Sequence, residues 1–137
     1  MTTTAASGDV VRIGSMELHW HPTARLAVLR FTADTSLTGS HGAVLCDSLR
    51  GWVGASEEPF ALLADAKGVT GTDGAYRTAT GDFFGQHRHN ARIALINLGP
   101  IIRVVAEMFR IGIRLQLKTF ADEAAAREWL RTQGIAA

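Results

Sequence analysis

The period of the apolar positions changes repeatedly along the chain, and the changes mark out its elements. Val10 to Trp20 is rich in β-branched and long apolar residues, and His21 and Pro22 break it. Leu26 to Phe31 follows after Pro22, Thr23 and Ala24, so the spacing predicts two strands joined as a hairpin. From Ala43 onward, Val44, Leu45, Leu49, Trp52 and Val53 share one side of a 3.6-residue wheel, predicting a first helix that stops near Gly54. Phe60 to Ala66 and Ile93 to Leu98 are short and apolar throughout, as strands covered on both faces are. Between them, Asp73 to His87 carries Tyr76, Ala79 and Phe83 at helical spacing, and Gly81 and Gly85 weaken that helix. Pro100 suits a first helical position and Gly112 a stop. In the helix they bound, Ile101, Val104, Val105, Met108 and Phe109 form one stripe. Arg103, Glu107 and Arg110 lie opposite.

Ile113 to Lys118 then alternates strictly, with a charged outer face that suits an edge strand. Asp122 is the expected cap of a last helix that turns Ala125, Ala126, Trp129 and Leu130 inward and ends at Gly134. The resulting order is β-β-α-β-α-β-α-β-α. Strands separated by helices imply parallel pairing, so residues 10–137 read as a single α/β domain with a mostly parallel central sheet. Residues 1–9, rich in Thr, Ala and Ser, read as a flexible, solvated tail.

Composition narrows the classes. At 137 residues, 47% hydrophobic and 20% charged, the chain can bury a core and is not a disordered segment. With 14 basic and 13 acidic residues, its charge balance favours neither nucleic acid nor an anionic membrane as the main partner. Cys46 is the one cysteine, so no intrachain disulfide can form and a reducing compartment fits. The first residues lack a charged stretch followed by an apolar run, and no apolar run approaches the ~20 residues of a membrane span. The expected location is the cytoplasm.

Candidate chemistry is sparse. His19 and His21 fall on one face if the strand continues, and His87 and His89 could add ligands, but no Cys or spaced carboxylates join them. Surface or hairpin-packing histidines explain them better than a metal site. Cys46 sits within the first helix, where a buried structural thiol is expected rather than a reactive one. Gly68, Gly71 and Gly74 lie after a strand and before a helix, as in a phosphate cradle, but lack the Lys-Ser/Thr ending of a phosphate loop. They read as a tight crossover loop, and Asp73 as a helix cap rather than a catalytic acid. Without a nucleophile–base or metal set, neither an enzyme nor a cofactor is expected.

Three stretches carry a family resemblance: FALLADAKGVTGTD from Phe60 to Asp73, LGPIIRVVAEMF from Leu98 to Phe109, and TFADEAAAREWL from Thr119 to Leu130. Together with the element order, they make the chain similar to STAS domains, the sulfate transporter and anti-sigma-factor antagonist family. Within it, the chain resembles the bacterial anti-anti-sigma type over residues ~10–133. The resemblance implies helices packed mainly on one face of a curved sheet, and protein binding in signalling rather than catalysis. It implies a protein partner such as a kinase or another regulator, and it leaves a homodimer open. In regulatory members a serine or threonine at the start of the second helix is phosphorylated. Here Gly74 stands at that place and has no hydroxyl, so the switch is not carried over. The expected partner surface is Thr70, Thr72, Asp73 and Gly74 with Tyr76 and Arg77 behind them. The alternative is a carrier of a lipid-like or nucleotide molecule, held where the glycine-weakened second helix meets the apolar third.

Overall fold

The computed structural model describes residues 9–137. Its elements are β1 (Asp9–Ile13), β2 (Met16–His21), β3 (Leu26–Phe31), β4 (Thr35–Leu37), α1 (Gly39–Val53), β5 (Phe60–Asp65), β6 (Val69–Thr72), α2 (Gly74–Gln86), β7 (Ala91–Ile96), α3 (Pro100–Gly112), β8 (Gln116–Phe120) and α4 (Glu123–Thr132). One six-stranded sheet runs β1-β2-β3-β5-β7-β8, and β4 pairs with β6 in a separate two-stranded ribbon. The first three strands meander antiparallel, whereas β3, β5, β7 and β8 are parallel. The α/β class and mostly parallel sheet are those expected, with more strands than the sequence pattern resolved. The tail expected over residues 1–9 falls mainly outside the described residues, and Asp9 opens β1.

Three details differ from the sequence reading for local reasons. The run Val10 to Trp20 is two strands, because Gly14 takes a left-handed φ of 56° and reverses the chain between Ile13 and Met16. The edge strand starts at Gln116 rather than Ile113. Ile113 caps α3 and Arg114 has a φ of 58°, so β-pairing with β7 begins only beyond them. Helix α1 begins four residues early, at Gly39, because the backbone N–H of Thr38 donates to His41 Nδ1 at 3.0 Å and satisfies the turn entering the helix.

Burial on both faces of the sheet explains the apolar strands. On one face, Phe60, Leu62 and Ala64 of β5 and Ile93 of β7 meet Leu45 and Leu49 of α1 and Phe83 and Phe84 of α2. On the other, Ala61, Leu63, Ala94 and Ile96 meet Ala126 and Leu130 of α4. Helices α1, α2 and α3 thus share one face and α4 covers the second. Ala125 of α4 faces solvent rather than the core. Arg30 ties α4 to the sheet through Glu123 at 2.9 Å, and Arg127 reaches the same carboxylate at 2.8 Å. These two cations hold the Glu123 carboxyl below the usual carboxylate range.

Helices α1 and α2 approach closely because α1 presents glycine where α2 presents alanine. A β-carbon at Gly39 would stand 2.9 Å from that of Ala75, and one at Gly42 3.3 Å from that of Ala79. The Ala75 β-carbon is not a flexible side-chain end, so Gly39 has no room for a side chain, whereas at Gly42 the neighbouring helix would have to give by a few tenths of an ångström. The glycines of α2 serve a similar end. A β-carbon at Gly85 would stand 3.1 Å from the Ile113 side chain, and Gly81 lies beside Phe109. What weakens α2 as an isolated helix makes room for the end of α3.

Candidate functional site

The corner where β6 enters α2 is fixed from several sides. Val69, Thr70 and Thr72 are β-branched and form a strand instead of the expected crossover loop. The partner strand is only three residues long and distant in sequence, which is why local pattern does not reveal it. Thr35, Ser36 and Leu37 of β4 pair with Val69, Gly71 and Thr72, with a bulge after Thr35. At the exit, the Asp73 N–H donates to the Leu37 carbonyl at 2.9 Å. The Asp73 carboxylate then accepts from the Tyr76 N–H at 2.7 Å, capping α2 as its residue type predicts.

The six residues singled out from sequence divide between surface and interior. Thr70, Asp73 and Gly74 are exposed side by side along this corner. Arg77 folds back, donating from Nη1 to the Thr72 carbonyl at 2.7 Å and to its hydroxyl at 2.9 Å. Thr72 and Arg77 are therefore partly buried and mutually engaged. Tyr76 turns the other way, onto α1 beside Gly42 and into the wall of a cavity. Burial pushes its phenol well above the ordinary range, so it stays protonated.

That cavity, about 100 Å³, lies between the sheet, α2 and α3. Tyr76, Thr80 and Phe84 form one wall; Ile102, Val105, Ala106 and Phe109 of α3 form the roof; Leu62, Ile93 and Leu117 of the sheet form the floor. The threonine hydroxyls at its edge are already used: Thr80 donates to the Tyr76 carbonyl at 2.8 Å and Thr72 accepts from Arg77. The remaining lining side chains apart from the Tyr76 phenol are apolar, which suits an apolar occupant.

Helix α3 divides the apolar stripe that its spacing defines. Its inner side is Ile102, Val105, Ala106 and Phe109, and of these only Ala106 is fully buried. Ile101, Val104 and Met108, grouped by spacing with Val105 and Phe109, face solvent together with Ile111. The apolar residues of this helix occupy about two-thirds of its circumference, and one stripe satisfies the core. The spacing of the second was in the sequence, but nothing local says which stripe turns inward.

The candidate reactive groups are placed apart. His19 lies beside Glu17, whereas His89 approaches Glu57 at 3.0 Å. His87 packs against Phe83 at 4.6 Å and Phe60 at 5.7 Å, and burial lowers its affinity for a proton. No group of three His, Cys, Asp or Glu among the described residues could hold a metal ion. Cys46 is buried, and its Sγ lies 3.5 Å from the Ala79 carbonyl. No helix among the described residues is long and apolar enough to cross a membrane.

A family model described as SpoIIAA-like matches residues 28–131. No curated protein matches the chain. Among solved structures, it is similar to an uncharacterised Shewanella loihica PV-4 protein with a SpoIIAA-like fold, with a TM-score of 0.62 and 15% identity over 93% of this chain and 98% of that one. It is similar to the anti-sigma factor antagonist SpoIIAA in its unphosphorylated form, with a TM-score of 0.55 and 12% identity over 93% and 99% of the two chains. The murine solute carrier 26 family member A9 anion transporter, inward-facing, gives a TM-score of 0.59 and 13% identity. That match covers 90% of this chain, which spans 22% of the transporter chain. At these identities the likeness is one of fold.

Proposed function

Since the chain belongs to the SpoIIAA-like family, we propose that it is a non-catalytic module of bacterial signalling that binds a protein partner through the β6–α2 corner. The observation that carries this reading is the exposure of Thr70, Asp73 and Gly74 on a frame fixed by the Asp73 cap and the Arg77–Thr72 hydrogen bonds. A surface held in one geometry before binding loses little conformational freedom when it docks. Gly74 offers no hydroxyl, so docking here is not switched by phosphate at that residue. Two variants test the corner without disturbing its frame. Thr70→Arg crowds it, and Asp73→Asn removes a charge while retaining an N-cap of similar strength. Both are expected to melt within a few degrees of the parent and to capture at least tenfold less partner from cell extract. Capture at the parental level by both folded variants would sink the reading.

The cavity under α3 supports a second reading, in which the same fold carries a small apolar molecule. At about 100 Å³ it is somewhat smaller than the ~150 Å³ engineered cavities that take up benzene. Native mass spectrometry of freshly purified chain is then expected to show added mass that is lost on denaturation. A spectrum of bare chain alone, from several preparations, contradicts this.

A further inference from the structure

Four of the five large apolar side chains exposed among the described residues lie on α3: Ile101 at 69%, Val104 at 61%, Met108 at 58% and Ile111 at 66%. They succeed one another by three, four and three residues, the alternation of a two-helix seam. On a helix of 3.6 residues per turn they fall within a strip about 80° wide. The inner side of α3 is already committed to the cavity roof and the core.

From this stripe we infer that α3 is a self-association surface, pairing antiparallel with α3 of a second copy of the chain about a two-fold axis at the level of Ala106. Such an interface uses the same patch twice, so each contact must be reciprocal. The stripe meets that condition. With the axis at residue 106, Ile101 faces the partner subunit's Ile111 and Val104 faces the partner subunit's Met108, then the same pairs in reverse. The charges agree with this pairing. Arg103 and Glu107 lie on one flank of the stripe, and Glu107 is paired within the chain to Arg110 at 2.8 Å. Arg103 enters no ion pair among the described residues. In the antiparallel arrangement it stands within about 3 Å, along the helix axis, of the level of the partner subunit's Glu107. That exchange also occurs twice.

Area sets the strength. At about 60–120 Å² for a fully buried aliphatic side chain, the four partly exposed residues supply roughly a third of the ~800 Å² that a standard interface buries per partner. The dimer is therefore weak and concentration-dependent.

Sedimentation equilibrium of the full chain from about 1 to about 100 μM is expected to show a mass rising from 14.7 kDa toward twice that value. Val104→Glu and Met108→Glu, at exposed positions, are expected to keep the parental circular dichroism and associate at least tenfold more weakly. A parent that stays at one chain mass throughout overturns the inference, as does a dimer indifferent to both glutamates. Co-sedimentation of a monomeric parent with phospholipid vesicles assigns the stripe to lipid instead. The register is read by mixing equal amounts of Val104→Cys and Met108→Cys under mild oxidation, where the mixed disulfide should clearly exceed the roughly twofold excess over each homodisulfide that random pairing gives; a ratio at or below that value contradicts the antiparallel pairing. The buried Cys46 does not compete.

Discussion

Replacing Phe83 with alanine is expected to remove about 3–5 kcal/mol from the free energy of unfolding. Few single changes in the molecule should cost more. The ring is 1% exposed and joins three elements. Its centroid lies 6.4 Å from that of Phe60 in β5, edge-on, and 5.0 Å from that of Phe84. The Arg50 guanidinium of α1 lies over the ring, 5.5 Å from its centroid. Truncation removes the transfer energy of a whole aromatic side chain and leaves a void that α1 and the sheet close only in part. For a domain whose total stability is about 5–15 kcal/mol, that is a large share. Phe83→Leu retains most of the volume and should cost clearly less. Urea denaturation measures both, with a shift in midpoint at constant slope. A loss below about 1 kcal/mol for the alanine variant would mean that α2 does not seat this ring as described.

The second large effect is on the reactivity of Cys46. Burial pushes its thiol up to about 11 from an ordinary 9.0, with Asp47 and Asp82 adding to the rise and Arg50 opposing it. Two units remove about 99% of the thiolate otherwise present near pH 8, and the thiolate is the reacting species. Occlusion of the sulfur adds to this. Alkylation by iodoacetamide is therefore expected to run at least ~100-fold slower in the native chain than in denaturant. Rapid native labelling at one equivalent would contradict the packing at Cys46 and return this residue to candidacy as a redox group.

These two expectations rest on parts of the chain whose sequence was informative to different degrees. The strands β5 and β7 are legible because a strand covered on both faces has no polar position to spare, and Phe60–Asp65 and Ala91–Ile96 carry almost none. The caps at Asp73 and Asp122 are legible because a side-chain carboxylate satisfying a helix N–H is a local interaction, completed within three residues. The ribbon of β4 and β6 is not. Its pairing joins residues more than thirty apart, and neither strand exceeds four residues. Of the candidate site, the corner and the space between α2 and α3 are marked by Asp73 and by the glycines of α2. The depth of Tyr76 and the outward turn of Ile101, Val104 and Met108 are not, because they depend on which side of each helix the sheet takes.

Helix α3 has one fully buried residue, Ala106, against five in α1 and three in α2. A segment with so little apolar surface committed to the interior can detach at a small fraction of the global unfolding cost. It is also the ceiling of the apolar chamber. On the carrier reading, a molecule would enter or leave that chamber by a local excursion of α3 while the sheet, α1 and α4 stay folded. Whatever holds the outer side of α3 in its closed position raises the cost of that excursion and so slows exchange through it.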